Sequence, residues 1–262
     1  MTQQLPHTVH SLAADLRALG LSAGDTVIVH SSVRALGFVV GEVQAVVEAL
    51  LDVLGPAGTL VVPTHTSGNS DPAEWQNPPV PPDWWPVIRE RSPGFDPART
   101  PSHWMGILPE TVRTWPGAQR STHPQVSFAA LGAGAAAIVG SHPVQDALGE
   151  ASPLGAIYRA GGKVLLLGCG HDNNTSLHLA ECRRARPAMA DHGAAVRDPD
   201  GNGRWVTWKG PDADASDFAE IGAAYAADGP VTTGLVGNAT AHLMPQRDVV
   251  DFATDWMDRH RA

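Results

Sequence analysis

The chain has 262 residues, 43% of them hydrophobic, and a formal net charge of -9 at pH 7. This length is sufficient for a substantial hydrophobic core, so we expect a single domain over residues 1–262. The negative charge argues against a nucleic-acid partner, because phosphate binding requires clustered lysine and arginine, and it would suit a cationic substrate.

The sequence gives no sign of export, membrane insertion or a disulfide framework. No apolar stretch approaches the roughly 20 residues that a membrane span needs. The N-terminal segment MTQQLPHTVHSL lacks the basic-then-apolar layout of a signal peptide. We therefore expect a soluble cytoplasmic protein with no membrane partner. Cys169 and Cys182 form no C-x-x-C pair, so neither disulfides nor a structural zinc site is expected.

The first segments alternate between helix and strand. Residues 8–20 have apolar positions at helical spacing, and Thr26–His30 is typical of a strand. An amphipathic helix over Glu42–Leu54 and a second strand over Thr59–Pro63 complete a βαβ unit with a right-handed crossover. The turn after the first strand contains Ser31-Ser32. Such hydroxyls and the backbone N–H groups around them either bind phosphate or only satisfy the turn.

Residues 64–103 differ in character from the rest of the chain. They contain many prolines and the tryptophans Trp75, Trp84 and Trp85, without clear periodicity. So long a segment is usually functional, since its tryptophans must pack somewhere. We call it the cover and expect it to form a wall of the substrate site.

The chain then returns to regular elements. Residues 104–115 resume helical spacing, and a strand over 126–131 is followed by an alanine-rich helix over 133–140. Ser152-Pro153 begins a further short helix, which ends at Gly161-Gly162.

The apolar run Lys163–Leu167, closed by Gly168 and Gly170, predicts a buried parallel strand that ends in a tight turn. A helix should follow over residues 176–186, before Pro187 stops it. Candidate capping residues are Asn173, Asn174 and Thr175.

Three polar residues of this segment have the spacing of one helix face. Thr175, His178 and Glu181 lie at i, i+3 and i+6, just beyond the carboxyl end of a strand, where open α/β sheets usually bind ligands. A hydroxyl, an imidazole and a carboxylate supply an oxyanion donor or second hydrogen-bonding group, a base, and an orienting group for that base.

The C-terminal third adds a hairpin and closing helices. Residues 194–197 and 204–208 flank a turn-rich hexapeptide, so we expect antiparallel strands to be added to the parallel ones. An acidic loop with Asp212 and Asp214 follows, and then a helix, a strand and a helix over residues 216–227, 231–236 and 246–261. The predicted fold is α/β, with a mixed parallel and antiparallel sheet flanked by helices.

Five motifs occur in a recognisable order. They are HSS (30–32), GTLVVP (58–63), RSTHP (120–124), SP (152–153) and, the longest, LLGCGHDNNTSLHLAE (166–181). Together they resemble the aminoglycoside 3-N-acetyltransferase family, from about residue 8 to the C-terminus. Members of that family transfer acetyl from acetyl-CoA to the 3-amino group of the deoxystreptamine ring of aminoglycoside antibiotics. Their α/β fold is distinct from the GNAT acetyltransferase fold, and a GNAT pyrophosphate loop is matched only partly, by residues 159–163.

The resemblance implies acetyl-CoA as co-substrate and no metal. It assigns the pyrophosphate and pantetheine end of the coenzyme to the turn after the first strand, with the Ser121–His123 region lining the arm. The implied coenzyme residues are Ser31, Ser32, Val33, Arg34, Leu36, Gly37, Ser121 and His123.

The same resemblance implies direct attack by the amine, with His178 as general base and no acetylated enzyme. Glu181, or Asp212 or Asp214 from the acidic loop, would orient the imidazole, and Thr175 would donate to the carbonyl oxygen or the sulfur. A polycationic acceptor favours several carboxylates, so Asp71, Asp96, Asp212 and Asp214 are the expected acceptor-binding residues.

Several alternatives stay open. The cover is not securely aligned with the family, so a non-antibiotic amine is a second acceptor class. Trp84 or Trp85 either stacks beneath a sugar ring or packs in the core. A metal-dependent hydrolase is disfavoured because no H-E-x-x-H pattern occurs, and a dinucleotide-binding module because the third glycine is missing. Both a monomer and a homodimer fit the sequence.

Overall fold

The computed structural model describes residues 5–261. Its strands are Thr26–Ser31 (β1), Thr59–Pro63 (β2), Gln119–Arg120 (β3), Phe128–Gly132 (β4), Lys163–Leu167 (β5), Met189–Arg197 (β6), Gly203–Pro211 (β7), Thr232–Val236 (β8) and Ala239–Pro245 (β9). Its α-helices are Val9–Leu19 (α1), Glu42–Leu54 (α2), Trp85–Arg91 (α3), Ile107–Arg113 (α4), Ala135–Val139 (α5), Pro153–Arg159 (α6), Leu177–Arg183 (α7), Phe218–Asp228 (α8) and Gln246–His260 (α9).

A seven-stranded sheet in the order β3-β4-β2-β1-β5-β9-β8 forms the centre of the molecule. Strand β1 pairs in parallel with both β2 and β5. Outside this parallel trio, β4 runs antiparallel to β2, and β9 runs antiparallel to β5. The predicted mixed sheet of an α/β fold is therefore confirmed.

Each face of the sheet is covered by helices, which is why the central strands are buried along almost their whole length and mostly apolar. Val27 and Val29 belong to a first core with α1, α2 and α4. Ile28 belongs to a second core, on the opposite face, with residues of α5 to α9. Successive strand residues alternate between these cores, and this alternation decides which end-of-strand side chains share a face.

The predicted hairpin forms, but the expectation that it joins the main sheet is wrong. Strands β6 and β7 make a separate two-stranded sheet. Its free backbone groups are bound by the cover: Phe95 N–H donates to Ala195 O at 3.0 Å, and the Asn69 amide bonds both Ala195 N and O. The hairpin edge is thereby paired with the cover.

Several elements differ from the sequence prediction. Helix α7 ends at Arg183 and not at residue 186, because the backbone turns extended at Arg184 (φ -52°, ψ 148°). The helix predicted from residue 104 begins only at Ile107, after Gly106 at φ 88°. The cover contains α3, which its irregular composition did not indicate.

Strand β9 was not predicted, although it lies between β5 and β8 in the sheet. Its buried residues Ala239, Ala241 and Leu243 alternate with Thr240 and His242, so its apolar signal is weak. Pairing on both sides, and not local composition, makes it a strand. Within residues 5–261, no helix is long and apolar enough to cross a membrane.

Candidate active site

The carboxyl ends of three neighbouring parallel strands meet at one edge of the sheet. His30 lies near the end of β1, His65 lies two residues beyond β2, and the turn Gly168–Gly170 follows β5. Gly168 adopts φ 72°, and a Cβ there would lie 2.7 Å from the Ala35 Cβ. This turn therefore brings the segment after β5 against the loop after β1.

Helix α7 starts from this turn. A short 3-10 turn precedes it, and the Asn174 side chain accepts a hydrogen bond from Ser176 N–H at 3.2 Å. The N-cap of α7 is Ser176, without a side-chain capping bond, and not one of the three predicted residues. Leu177, Leu179 and Ala180 are fully buried in the second core. Their burial fixes the rotation of α7.

His178 and Glu181 form a dyad on α7. Nδ1 of His178 lies 2.5 Å from Oε2 of Glu181, and the side chains are 16% and 6% exposed. The imidazole also packs on Phe218, with ring centroids 4.7 Å apart. When Nδ1–H donates to the carboxylate, the neutral ring carries its lone pair on Nε2, the state that a general base requires.

The second oxygen of Glu181 is also occupied. Oε1 accepts from Arg261 Nη1 at 2.5 Å and from Asp214 N–H at 3.1 Å. Arg261 in turn pairs with Asp217. Both carboxylate oxygens are therefore held, which locks the side chain in the orientation that holds His178.

Of the alternative orienting groups, the structure brings Glu181 to His178. Asp214 contributes its backbone to Glu181, while its carboxylate accepts from Ser216 N–H at 2.9 Å, a bond that lowers the pKa of Asp214. Asp212 and Asp214 line a surface cavity of about 250 Å³ together with Glu181 and Arg261. Both acidic side chains are exposed beside the dyad.

Thr175 lies one turn before His178. Its side chain is largely buried, and its carbonyl accepts from His178 N–H at 3.1 Å. The hydroxyl makes no hydrogen bond within residues 5–261. It is consequently free to donate to a ligand.

Two histidines near the dyad were not singled out by their sequence pattern. Nε2 of His30 and Nε2 of His65 are buried and have no hydrogen-bond partner in the described part of the chain. Burial, with a smaller contribution from the charge of His178, lowers the pKa of each imidazole to about 3. The HSS motif contained the available signal, a polar residue near the end of a buried strand.

The loop after β1 presents part of the expected coenzyme set. Ser31, Ser32 and Val33 are half-buried, and Arg34 and Gly37 are exposed. The loop forms a 3-10 turn, with Ser32 N–H bound to Leu167 O at 2.9 Å. These residues lie at the same sheet edge as the dyad.

The side chains of the three other expected coenzyme residues are buried, and the coenzyme role assigned to them stays a prediction. Leu36 is part of the first core. The Ser121 hydroxyl accepts from Phe128 N–H and pairs with His142 Nδ1, both at 2.9 Å. Nδ1 of His123 accepts from two backbone N–H groups at 3.1 Å. These hydrogen bonds stabilise the loop before β4.

The cover holds two of the four expected acceptor carboxylates in ion pairs. Asp71 bonds Arg89 at 2.6 Å, and Asp96 lies 3.6 Å from Arg99 and 3.5 Å from Arg197. Both carboxylates are paired with arginines of the protein, and their expected role in acceptor binding stays a prediction.

The cover also contains a cavity of about 530 Å³, lined by Glu74, Trp75 and Trp104 among others. Trp84 is 59% exposed and so does not pack in the core, whereas Trp85 is half-buried under Arg89. In residues 5–261 no three His, Cys, Asp or Glu side chains are arranged to hold a metal ion.

The chain is similar to known proteins over almost its whole length. A family model described as aminoglycoside 3-N-acetyltransferase matches residues 28–258. The chain is 41% identical to the SPbeta prophage-derived aminoglycoside N(3')-acetyltransferase-like protein YokD of Bacillus subtilis (strain 168), over 96% of this chain and 92% of that protein. The crystal structure of YokD matches with a TM-score of 0.96, over 99% of this chain and 96% of that chain.

Two further relatives are a named aminoglycoside acetyltransferase and a structure with a bound coenzyme. Identity to aminoglycoside N(3)-acetyltransferase VII of Streptomyces paromomycinus is 39%, over 97% of this chain and 92% of that protein. The structure of AAC-IIIb in a binary complex with CoASH matches with a TM-score of 0.87 at 32% identity, over 97% of each chain.

Proposed function

The chain belongs to the aminoglycoside 3-N-acetyltransferase family, and we propose that it transfers acetyl from acetyl-CoA to the 3-amino group of the deoxystreptamine ring of aminoglycosides. The dyad of His178 and Glu181, held at 2.5 Å at the carboxyl edge of the sheet, carries this proposal. The CoASH complex of AAC-IIIb supports the choice of acyl donor.

The dyad supplies the base that the reaction needs. Only a neutral amine attacks a thioester, so the ammonium group first releases one proton to solvent. As the amine attacks, His178 Nε2 takes the second proton from the attacking nitrogen. Glu181 stabilises the resulting imidazolium. The N–C bond forms, the C–S bond breaks, and the imidazolium proton is available to the departing thiolate. No group of the enzyme is acetylated in this sequence.

Thr175 is our candidate for stabilising the oxygen that becomes negative. Its hydroxyl lies one helical turn from His178 and has no partner within residues 5–261. A single donor of this kind typically contributes roughly 10² to 10³ in rate.

We assign the coenzyme to the accessible part of the loop after β1. Ser31, Ser32, Val33, Arg34 and Gly37 are the members of the expected set that a ligand can reach. The exposed guanidinium of Arg34 suits a pyrophosphate, because charge-assisted hydrogen bonds to phosphate are strong.

The acceptor is assigned to the acidic side of the dyad. Asp212 and Asp214 are exposed and line a cavity that reaches Glu181. Their carboxylates have the charge to bind ammonium groups of a polycationic amine. Asp71 and Asp96 are left out of this assignment, because arginines already neutralise them.

The first test is thiol release from acetyl-CoA with gentamicin-, kanamycin- and neomycin-type compounds and one compound whose 3-amino group is blocked. We expect turnover with the free amines and none with the blocked compound. Turnover of the blocked compound would refute the position. If no aminoglycoside is acetylated while acetyl-CoA binds, the acceptor is another amine.

The second test replaces the base. We expect His178→Ala to lower kcat roughly 10³-fold while the affinity for acetyl-CoA changes less than threefold, because only proton transfer is removed. His10→Ala, at an exposed position of α1, is the matched control and should leave kcat unchanged. A loss of less than about tenfold in His178→Ala would exclude this residue as the base.

A further inference from the structure

One buried histidine at the sheet edge has no role in the mechanism above. His30 is 4% exposed, and its Nε2 has neither solvent contact nor a hydrogen-bond partner within residues 5–261. Buried polar atoms are nearly always hydrogen-bonded, because leaving one unpaired costs free energy. A ligand that enters the site can supply the missing partner.

The position of His30 in β1 fixes the face on which its ring lies. Ile28, two residues earlier, belongs to the second core, so His30 points to the same face by strand alternation. Its register partner in β5 is Leu166, which also belongs to that core. Helix α7 packs on this face and carries His178, so both rings lie on one side of the sheet.

His30 also adjoins the proposed coenzyme loop. Ser31, the next residue, is the first member of that loop. The reacting thioester has to lie between the coenzyme and the base. His30 therefore lies where the two halves of the proposed site meet.

The charge state of His30 suits a hydrogen-bond donor better than a base. Burial, and to a smaller extent the charges of His178 and His171, lower its pKa to about 3. The ring is thus neutral wherever His178 works as a base. A neutral imidazole still carries one N–H and can polarise a carbonyl group, and it does not repel an imidazolium forming nearby.

We propose that Nε2–H of His30 donates a hydrogen bond to the acetyl carbonyl oxygen, as a second oxyanion donor beside Thr175. This inference rests on the proposed acetyl transfer. As the amine attacks, the carbonyl electron pair moves to oxygen, where His30 and Thr175 stabilise it. When the C–S bond breaks, the carbonyl is restored. His30 keeps its proton throughout.

Two substitutions test the donor. His30→Phe keeps the ring shape without an N–H, and His30→Gln keeps a donor near the position of Nε2. We expect His30→Phe to lower kcat roughly hundredfold with little change in KM for acetyl-CoA, and His30→Gln to recover at least tenfold of that loss. His30→Phe within threefold of wild type, or His30→Gln no better than His30→Phe, overturns the proposal.

A merely positioning role predicts a different pattern. If His30 only orients His178, the acid limb of the kcat/KM profile should move in His30→Phe, because the environment of the base has changed. With a donor role the limb stays in place and the profile falls uniformly. A displaced limb therefore counts against the proposal.

A spectroscopic readout separates this inference from the acceptor assignment. Isotope-edited infrared spectra of ¹³C-carbonyl acetyl-CoA bound to the enzyme need no acceptor. We expect a higher carbonyl stretching frequency in His30→Phe than in wild type, and an intermediate one in His30→Gln. Equal frequencies in all three proteins refute the hydrogen bond, whether or not aminoglycosides are acetylated. Should His30→Phe fail to fold, the comparison of His30→Gln with wild type decides.

Discussion

Replacing Glu181 by glutamine tests the proposed role of the dyad, because it changes one atom of the carboxylate and removes its charge. Oε1 of Glu181 faces two donors, Arg261 Nη1 and Asp214 N–H, whereas Oε2 faces His178 Nδ1. The amide oxygen of Glu181→Gln should therefore turn to Arg261, and the amide NH₂ to His178. That arrangement favours the tautomer with Nδ1 unprotonated and Nε2 protonated, which cannot act as a base.

The electrostatic loss can be estimated. Two unit charges about 4 Å apart interact by about 4 kcal/mol at an effective dielectric constant near 20. Because this stabilisation of the imidazolium is lost in the transition state, kcat should fall roughly 10³-fold, and the wrong tautomer should add to that loss. The free energy of unfolding should fall by only about 1–3 kcal/mol, since Arg261 keeps Asp217 as a partner.

The assay is thiol release at saturating acetyl-CoA, with urea denaturation as the stability measurement. Asp52→Asn is the matched control, because Asp52 also bonds an arginine, Arg17 at 2.9 Å, but is 55% exposed and lies on α2, on the opposite face of the sheet from α7. It should change kcat less than twofold. If Glu181→Gln keeps more than a tenth of the wild-type kcat, the carboxylate does not orient the base and the reasoning fails.

Two further predictions concern stability. Burial lowers the pKa of His30 and His123 to about 3 and that of His142 to about 4, so the unfolded chain, with values near 6.5, binds more protons below that pH. The free energy of unfolding that these histidines contribute is complete above pH 6.5 and is lost as the pH falls. Between pH 6.5 and 5, each histidine should lower the free energy of unfolding by about 2 kcal/mol. A Tm that stays constant in calorimetry over that range contradicts this prediction. In Gly222→Ala, the new Cβ would lie 2.1 Å from His171 Cγ. The clash should outweigh the helix preference of alanine and lower the free energy of unfolding by about 1–2 kcal/mol. A more stable Gly222→Ala variant in urea denaturation would exclude this clash.

Sequence reasoning succeeded where the information is local. The strand Lys163–Leu167 and the i, i+3 spacing of His178 and Glu181 were read directly, because helix geometry alone brings such a pair into contact. The strands β1 and β2 were likewise predicted from their apolar runs. The single-domain organisation stays a prediction.

The tertiary structure decided what depends on partners distant in the chain. Asp71 and Asp96 looked available for a substrate, but arginines of the cover and of β6 neutralise them. Ser121 and His123 belong to the RSTHP motif, yet their side chains are buried and accept hydrogen bonds from the backbone N–H groups of Phe128 and Val126. No local pattern specifies such burial.

The choice among carboxylates for His178 shows the same division. The sequence alone determined that Glu181 lies within reach, because both residues belong to one helix. Only the fold brought Arg261, from beyond α9, and the backbone of Asp214 to the second oxygen of Glu181. It also set His30 on the face of α7, because strand order and side-chain alternation, and not sequence distance, decide which side chains meet at the edge of a sheet.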